Sequence, residues 1–362
     1  MSSIRFYVGT FTHAGNDPVG RDEGIYLCNF DTESGKISKL WASRGVINPA
    51  FLTLSADRKF LYSVNETHVF QGQPGGGVSA FSIDPASGEL TFLNSQLSYG
   101  ESPCFVSLDR SGKWLLLANY SGGNITVYPV LPEGSLGPKS EFIQHEGHGP
   151  NAERQEKAHA HSIQMDPTNR LALAADLGLD QVKLYELDLA VGKLKPHQPA
   201  AVQIHPAAGP RHLDFHPNGR WVYILNELDS TLVCADYSAD QGTFRIMQTV
   251  SCLPEGYSGE KWAADVHVHP NGRFVYSSNR GHDSLAVFAI DPADGRVRLE
   301  QVISSGGAVP RNFAIEPGGE WLIAANQRGD NLVVYKINQQ TGQLTPNGET
   351  LAVPAPVCVK FM

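Results

Sequence analysis

Three arginines, a histidine and a glutamate stand at related positions of this chain and could together carry acid–base and anion chemistry. Arginine offers planar, permanently charged donors that suit phosphate or carboxylate oxygens and a carbonyl oxygen that gains negative charge. Histidine and glutamate transfer protons near neutral pH. Such a set could open a cyclic ester in an anionic substrate. Its members are His161, Arg211, Glu227, Arg280 and Arg311.

A second group of polar residues falls beside this set when the chain is aligned with itself: Glu66, Tyr120, His159, His212 and Gln327. His159 and His161 are two residues apart, which puts two imidazoles on one side of a strand. With His145 and His148 upstream they suggest a metal site, but no acidic ligand stands at fixed spacing, so we predict none. For His212 we expect packing or hydrogen bonding within its own blade.

The elements that position these residues come from a repeated hairpin, clearest over residues 209–227. It reads as an alternating strand, a Pro-Asn-Gly turn, and a second strand that stops at an Asn-Glu pair. A period of roughly 50 residues built from short strands predicts propeller blades. The recurring residue at the end of each second strand we interpret as turn-building. Its copies are Asn65, Asn119, Asp176, Asn226, Asn279 and Asn326.

A second hairpin follows each copy, among them one predicted over 124–136. There are seven second hairpins but only six first hairpins, so one blade lacks its first two strands. The two chain ends supply them, because residues 355–361 match a first strand and residues 4–10 match a second strand. Their pairing closes the ring and removes an exposed sheet edge. We therefore predict an all-β fold, a seven-bladed β-propeller of four-stranded antiparallel blades, as a single domain over residues 1–362.

Blade alignment also places the candidate residues on one face, with the longer connections 141–158 and 251–261. One ring lies at the start of the first strands: Ala50, Cys104, His161, Arg211, Ala264, Arg311 and Val357. Another follows the second strands: Phe11, Glu66, Tyr120, Leu177, Glu227, Arg280 and Gln327. Their charged members break the repeat, so blade building does not explain them. The alternative is that the arginines pair with Glu66 and Glu227 to line a wet channel, and Glu227 could either catalyse or hold Arg211.

Composition restricts the partners. The net charge of -9 and the pI of 5.8 argue against nucleic acid and anionic membranes. No apolar run reaches the length of a membrane span, and Met1 leads almost directly into a strand-like segment, so we expect a cytoplasmic protein. The five cysteines are far apart and odd in number, as expected for buried thiols in a reducing compartment.

Motifs along essentially the whole chain resemble one family, the propeller-type lactonases. This family includes bacterial 6-phosphogluconolactonase of the propeller type and the fungal carboxy-muconate lactonizing enzyme. The motifs are Asn48-Pro49, Ala118-Asn119-Tyr120-Ser121-Gly122-Gly123, Arg154-Gln155, His159-Ala160-His161-Ser162, Asp176-Leu177-Gly178, Gly209-Pro210-Arg211-His212, Asn226-Glu227, Ser278-Asn279-Arg280-Gly281 and Pro310-Arg311.

The resemblance implies an active site of one His, two Arg and one Glu, without a metal or other cofactor. It puts one Arg at Arg211 and the Glu at Glu227. The His is His159 or His161, and we prefer His161 because it shares the register of Arg211. The second Arg is Arg280 or, as the weaker match, Arg311. The remaining residues expected to bind substrate are His159, Arg311, Glu66, Tyr120, Gln327 and Arg154.

The leading hypothesis is hydrolysis of 6-phosphoglucono-1,5-lactone to 6-phosphogluconate, in the pentose phosphate pathway of carbohydrate metabolism. One alternative is a cycloisomerase that closes a muconate-type diacid, with Glu227 or His161 as proton donor. A non-catalytic ligand-binding propeller is the other. The expected partner is a small anionic sugar lactone or carboxylate, and the expected assembly is a monomer or weak homo-oligomer.

Overall fold

The chain is seen here in a computed structural model, which describes residues 3–14, 17–18 and 23–362. Seven four-stranded antiparallel sheets account for most of these residues and confirm the predicted all-β, seven-bladed propeller. Helix is confined, among the described residues, to a single 3-10 turn at Leu177–Leu179. None of the described helical residues belongs to a helix long and apolar enough to cross a membrane.

Six sheets are meanders in which strand order follows chain order. Blade 1 consists of Leu52–Leu54, Phe60–Asn65, Gly77–Ile83 and Leu90–Leu97. Blade 2 consists of Pro103–Leu108, Trp114–Asn119, Asn124–Pro129 and Glu141–Gln144. Blade 3 consists of Ala160–Met165, Leu171–Asp176, Gln181–Asp188 and Lys193–Gln203.

The later blades repeat the same plan. Blade 4 consists of Pro210–Phe215, Trp221–Asn226, Thr231–Ser238 and Thr243–Ser251. Blade 5 consists of Ala263–Val268, Phe274–Asn279, Ser284–Ile290 and Val297–Ser304. Blade 6 consists of Pro310–Ile315, Trp321–Asn326, Asn331–Ile337 and Leu344–Ala352.

The closing blade joins the two chain ends, as predicted. Its strands, in sheet order, are Pro356–Phe361, Ser3–Thr10, Glu23–Asp31 and Ile37–Arg44. Two short ribbons complete the strands, His13–Ala14 with Asp17–Pro18 and Val69–Phe70 with Gln73–Pro74.

One predicted hairpin is wrong. The sequence suggested that 124–136 forms the second hairpin of its blade, but Asn124–Pro129 pairs with Glu141–Gln144. Between them only an isolated bridge joins Val130 and Leu136. Prolines at 129, 132 and 138 each remove a backbone donor, so this stretch cannot continue the ladder. The long connection therefore begins after residue 144 rather than at 141.

The ends of the second strands confirm the turn-building interpretation. In blades 2, 5 and 6 the terminal asparagine amide donates to a carbonyl of the connection that precedes its blade. These bonds are Asn119 to Ser98 at 3.0 Å, Asn279 to Cys252 at 2.9 Å and Asn326 to Ser305 at 3.0 Å. Each asparagine thus ties the end of a second strand to the chain that enters the blade.

The described residues group into two compact units. Unit 1 comprises 3–8, 28–40 and 210–361, and unit 2 comprises 9–14, 17–18, 23–27, 41–209 and 362. The single domain over 1–362 stays a prediction. In unit 1 the blades pack through buried aromatic rings such as Tyr223 and Phe288. In unit 2, Phe51 stacks on Phe105 with ring centres 4.3 Å apart.

All five cysteines are buried free thiols, as predicted. Burial raises the pKa of Cys28, Cys234 and Cys252 to about 12. These three thiols are therefore protonated and unreactive at neutral pH.

Candidate active site

The candidate residues of the first strands lie in β-bulges. In blade 4 the ladder runs from the Pro210–Asn226 pair directly to His212–Leu225 and skips Arg211. The same skip occurs at Cys104, His161 and Arg311. A bulged residue leaves the ladder, and its side chain is re-aimed away from the regular alternation of the strand. The sequence predicted the shared register of these residues but not the bulge.

A signal for the bulge is present in the sequence. Prolines at 103, 210 and 310 open the first strands of blades 2, 4 and 6, one residue before the bulged residue. Proline cannot donate to a ladder and is confined in sheets to edges, strand starts and bulges. A proline at this fixed offset therefore indicates where regular pairing fails.

Unit 1 holds a cluster of buried charges around Glu227, which we call the arginine cluster: Arg211, Glu227, Trp262 and Arg280. The Oε2 atom of Glu227 accepts from Arg211 Nε at 3.0 Å and from Arg280 Nη2 at 2.6 Å. Its Oε1 atom accepts from Trp262 Nε1 at 3.0 Å. Each of the three charged side chains is at most 3% exposed. One carboxylate therefore orients two guanidinium groups from neighbouring blades.

Further contacts fix both arginines. Arg211 Nη1 donates to the carbonyl oxygen of Ala264. Arg280 Nη2 also donates to the carbonyl oxygen of Ala263 at 3.0 Å, and its guanidinium lies over the Trp262 ring, 4.1 Å from the centre. The charge of each arginine is thus held between a carboxylate and backbone carbonyls, with an aromatic face beneath Arg280.

The arginine cluster carries more positive than negative charge. Burial lowers the pKa of Arg280 well below its usual range, Glu227 opposes the shift, and the charges of Arg211 and Arg311 add to it. The ion pair with Glu227 keeps the guanidinium charged at neutral pH. An additional anion would relieve the repulsion among these cations.

Gly281 allows the loop before blade 5 to approach this cluster. A methyl group on its Cα would lie 2.2 Å from the carbonyl oxygen of Glu260. The backbone of Arg280 donates to the carbonyl oxygen of Trp262 at 2.7 Å. A glycine after Arg280 therefore lets the loop that carries Trp262 pack directly on the end of the second strand.

Arg311 and Gln327 occupy the predicted positions in blade 6. Both are half-buried, and the backbone of Gln327 donates to the carbonyl oxygen of Val309 at 2.9 Å. Arg311 influences Arg280 through its charge. Of the two arginines left open by the sequence, Arg280 contacts Glu227 directly, through Nη2.

Behind Arg211 lies a polar network that the sequence did not reveal. His212 Nδ1 is 2.8 Å from Asp265 Oδ1 in the next blade, and its Nε2 lies 3.2 Å from Arg211 Nη1. The contact expected within its own blade is therefore joined by a hydrogen bond to blade 5. Asp265 Oδ2 accepts from His267 Nε2 at 2.9 Å and from Asn312 Nδ2 at 2.5 Å. Asp265 was missed because it lies between Ala264 and Val266, and no local motif marks it as a residue with a polar role.

The network has a defined charge state. Burial and the neighbouring Arg211 lower the pKa of His212 to about 3, so it is neutral. Burial favours the neutral form of Asp265, but His267 and the hydrogen bonds from His212 and His267 hold its pKa well below the usual range. Burial opposes the charge on His267, yet Asp265 raises its pKa. An ionised Asp265 thus lies between the neutral His212 and His267, whose protonated form it favours.

Unit 2 holds a second cluster, the histidine cluster: Cys104, Tyr120, Arg154, His159 and His161. The His159 ring stacks on Tyr120 with centres 4.5 Å apart and planes at 20°. Its Nδ1 lies 3.0 Å from the carbonyl oxygen of Tyr120 and its Nε2 lies 3.1 Å from Glu156. Both ring nitrogens of His159 are therefore engaged within this cluster.

His161 meets the same tyrosine edge-on. The two ring centres are 5.3 Å apart at 67°, and His161 Nδ1 lies 3.6 Å from Cys104 Sγ. The residue is 4% exposed. Arg154 Nη2 donates to the Tyr120 hydroxyl at 3.2 Å. The structure therefore brings three predicted residues, His159, His161 and Arg154, together around Tyr120.

Gly178 allows a close backbone approach in the histidine cluster, as Gly281 does in the arginine cluster. A methyl group on its Cα would lie 1.9 Å from the carbonyl oxygen of Lys157. The Leu177 backbone donates to the carbonyl oxygen of His159 at 2.9 Å, and His159 N donates to Asp176 Oδ1 at 2.8 Å. The glycine thus fixes the backbone that carries His159.

Glu66 is half-buried at the end of the second strand of blade 1. Its backbone exchanges hydrogen bonds with Asn48, because Glu66 N donates to Asn48 O and Asn48 Nδ2 donates to Glu66 O, each at 3.0 Å. The Asn48-Pro49 motif therefore positions Glu66, whose role in binding substrate stays a prediction.

The upstream histidines do not join a metal centre. His145 Nδ1 is 2.6 Å from Asp176 Oδ2, its Nε2 is 3.1 Å from the Tyr185 hydroxyl, and His148 is exposed. Across residues 3–14, 17–18 and 23–362 no group of three or more His, Cys, Asp or Glu side chains is placed to hold a metal ion.

Comparison with known proteins decides the family. The family model described as "Lactonase, 7-bladed beta-propeller" matches residues 5–361. The chain belongs to this lactonase family. It is 39% identical to the 6-phosphogluconolactonase of Bacillus subtilis, over 100% of this chain and 99% of that protein. It is 33% identical to the 6-phosphogluconolactonase of Formosa agariphila, over 96% of each chain.

Among solved structures, the periplasmic gluconolactonase of Pseudomonas aeruginosa superposes with a TM-score of 0.92 at 33% identity, covering 100% of this chain and 99% of that one. The predicted family and enzyme class are thereby confirmed. In this member of the lactonase family the arginine cluster of unit 1 contains the motif residues Arg211, Glu227 and Arg280. The histidine cluster of unit 2 contains Tyr120, Arg154, His159 and His161.

Proposed function

We propose that the protein hydrolyses 6-phosphoglucono-1,5-lactone to 6-phosphogluconate, the reaction that links glucose 6-phosphate oxidation to the rest of the pentose phosphate pathway. The full-length similarity to 6-phosphogluconolactonases supports this substrate. The observation that carries the proposal is the excess of buried guanidinium charge in the arginine cluster.

An anionic substrate matches that excess. Glu227 compensates one charge, while Arg211 and Arg280 contact it together and Arg311 adds a third cation nearby. Guanidinium groups bind phosphate and carboxylate oxygens through paired hydrogen bonds. The cluster therefore favours a phosphorylated lactone over a neutral one.

The same donors suit the chemistry. Water attacks the lactone carbonyl carbon, the carbonyl oxygen becomes an oxyanion, and the tetrahedral intermediate collapses by breaking the bond to the ring oxygen. That oxygen takes a proton and the new carboxylic acid releases one. Preorganised arginine donors stabilise the oxyanion more strongly than the ground-state carbonyl, which lowers the barrier.

Glu227 serves this chemistry by orientation. Its two oxygens accept hydrogen bonds from two guanidinium groups and one indole. A carboxylate engaged in this way is a poor acceptor for a further proton. Of the two roles left open by the sequence, holding the arginines fits these contacts better than proton transfer.

For proton transfer, His161 stays the candidate that the family resemblance implies. Its Nδ1 faces a thiol, which is a weak hydrogen-bonding partner, whereas both nitrogens of His159 lie near oxygen atoms. A histidine base must expose a lone pair to water, and the contacts of His159 with Tyr120 and Glu156 argue against His159 in that role.

The test is the rate of loss of freshly prepared 6-phosphogluconolactone above spontaneous hydrolysis, with neutral gluconolactone in parallel. We expect acceleration of both, with the larger kcat/KM for the phosphorylated substrate. Arg311→Ala should lower kcat/KM for the phosphorylated lactone by about tenfold, or ~1.4 kcal/mol. Acceleration of neither lactone would remove the proposed function and leave the cycloisomerase or binding alternatives.

A matched control is Arg220→Ala. Arg220 belongs to blade 4, like Arg211, but its side chain is 61% exposed and pairs with Asp236. Its loss should leave both lactone rates at the wild-type value. An equal loss in both variants would show a general effect of net charge rather than a local one.

We also propose that the protein acts in the cytoplasm as a monomer or weak homo-oligomer. Five free cysteines fit a reducing compartment. The similar Pseudomonas aeruginosa protein is periplasmic, so cell fractionation with a periplasmic marker decides the compartment. Sedimentation at several concentrations measures the assembly.

A further inference from the structure

A belt of buried polar residues lies one position beyond the bulged residues of blades 4, 5 and 6. Its members are His212, Asp265 and Asn312, each following the residue aligned with Arg211 in its own blade. They are linked in order, His212 to Asp265 at 2.8 Å and Asn312 to Asp265 at 2.5 Å. Asn312 Oδ1 then accepts from Val359 N at 2.7 Å, in the closing blade.

Blade building does not require polar residues at this position. In blades 1 and 2 the aligned residues are Phe51 and Phe105, which stack with centres 4.3 Å apart. Burying a carboxylate costs free energy unless it is paired and hydrogen-bonded, whereas a phenyl ring is stabilised by burial. Apolar residues thus fill this position in blades 1 and 2 of the same chain. Polar residues fill it in blades 4, 5 and 6, beside the arginine cluster.

The hydrogen-bond chain fixes the tautomer of His212. The ring is neutral, so one nitrogen carries a proton and the other a lone pair. Ionised Asp265 can only accept, and therefore the Nδ1 proton of His212 points to it. The lone pair is then on Nε2. Arg211 Nη1 lies over the ring, 3.2 Å from Nε2 and 3.4 Å from Nδ1, and of these two nitrogens only Nε2 can accept from it.

Asp265 is itself held in place. His267 Nε2 and Asn312 Nδ2 both donate to Oδ2, and the Asp265 backbone donates to Ser278 Oγ at 3.1 Å. The carboxylate is therefore unable to rotate without losing several bonds. A fixed Asp265 holds the His212 ring in one orientation, and the ring in turn restricts the guanidinium of Arg211.

We propose that His212 and Asp265 are positioning residues for Arg211, which they hold in the orientation required for the lactonase reaction. The proposal rests on the proposed function only for its kinetic consequence. Its physical content is that the carboxylate selects the histidine tautomer, and that tautomer accepts from Nη1 while Glu227 accepts from Nε.

Asp265→Asn and His212→Phe test the proposal. An asparagine amide can donate to Nδ1, which would move the proton to Nε2 and set it against Arg211. Phenylalanine removes the acceptor but keeps the ring, as in blades 1 and 2. We expect each variant to lower kcat/KM for the phosphorylated lactone by about tenfold. The loss of kcat/KM should divide between kcat and KM in the same proportion as in Arg211→Lys. A merely structural effect would not reproduce that proportion.

The double variant measures the link between the two residues. If Asp265 acts through His212, Asp265→Asn should change kcat/KM by less than about twofold in the His212→Phe background. Full additivity of the two effects would overturn the proposal. Because His212→Phe is tested separately, the proposal stays testable even if Asp265→Asn fails to fold.

Hydrogen exchange of the Arg211 Nε–H group, followed by NMR in the ¹⁵N-labelled protein, is a readout that does not depend on the reaction. The signal of this group is assigned because it is missing from the spectrum of Arg211→Lys. Wild type should show a slowly exchanging signal, and both belt variants should speed its exchange at least fivefold. Unchanged exchange with unchanged kinetics would overturn the proposal. If wild type accelerates no lactone, the proposed function fails and the exchange result alone decides the positioning role.

Glu316→Gln is the matched control. Glu316 is a buried carboxylate just past the first strand of blade 6, where it accepts from the backbones of Gly318 and Glu320, each at 2.6 Å. Its loss should lower stability without altering the kcat to KM split or the exchange of Arg211. A shift of both in this control would show that any buried carboxylate of the unit has the same effect, and would overturn the assignment.

Discussion

In the arginine cluster of unit 1 each buried charged group is held by another buried charge. In the histidine cluster of unit 2 the rings are held by stacking and by contacts to backbone, to a thiol and to the exposed carboxylate of Glu156. Glu227 contacts Arg211 and Arg280 at 3.0 and 2.6 Å. Tyr120 stacks on His159 and meets His161 edge-on. The first arrangement is strongly coupled, because loss of one partner leaves a buried charge. The second is weakly coupled, because each ring keeps most of its contacts when another is changed.

The candidate site residues of this protein therefore differ in how much they contribute to stability. In the arginine cluster, function and stability cannot be separated by deleting a residue, since desolvated charges depend on one another. In the histidine cluster they can be separated. The effect of a variant on activity should therefore be compared with its effect on stability separately for each cluster.

The largest effect is expected for Glu227→Ala. It leaves Arg211 and Arg280 buried beside each other without their shared carboxylate, which should cost about 3 to 5 kcal/mol of stability. Lactonase turnover should fall by more than about a hundredfold, because both donors lose their orientation. Urea unfolding and initial rates measure the two effects. Loss of activity with wild-type stability would contradict the idea that the cluster is strongly coupled.

A large effect of pH on stability is expected from His212. Its folded pKa of about 3 lies below the ordinary 6.5, so the unfolded chain binds more protons between these values. Stability is therefore complete above pH 6.5 and falls by several kcal/mol as the pH drops towards 3. The measurement is urea unfolding of wild type and His212→Phe from pH 7 to pH 4. Parallel losses in the two proteins would show that His212 contributes nothing to the acid sensitivity.

An intermediate effect, on activity alone, is expected for His161→Asn. If His161 activates water, kcat should fall by about a hundredfold, with stability changed by less than ~1 kcal/mol. His159→Asn is the comparison variant and should reduce kcat less than tenfold, because His159 already engages Glu156 and Tyr120. Steady-state rates across pH identify the base by loss of one limb of the profile. The reverse order of effects would transfer the role to His159.

The smallest effect is expected for Tyr120→Phe. The ring that stacks on His159 is kept, and only the hydroxyl that accepts from Arg154 is lost. Stability should change by less than ~0.5 kcal/mol and KM should rise by less than about fivefold. Tyr120→Ala, which removes the ring, should produce the larger KM change. Equal effects of the two variants would assign the hydroxyl, rather than the stack, as the main contact.

Much of the fold was predictable because blade signals are local. The Asn or Asp that ends each second strand, the turn prolines and glycines, and the alternation of apolar residues all lie within one hairpin. The match between 355–361 and 4–10 predicted the closing blade. The error over 124–136 arose where prolines interrupt a strand that the apolar pattern alone would continue.

For the site, the repeat in the sequence was enough to predict which residues share a register. Arg211, His161, Cys104 and Arg311 were aligned by the repeat, and the structure places all four in bulges. The packing of neighbouring blades was needed to show that Glu227 accepts hydrogen bonds from two arginines. It was also needed to show that Asp265 accepts from both His212 and Asn312. These partners come from different blades, since Glu227 and Arg280 are 53 positions apart in the sequence and Asp265 and Asn312 are 47 positions apart. Strand periodicity fixes the face on which a side chain lies, whereas the partner of a buried charge depends on how twisted neighbouring blades pack.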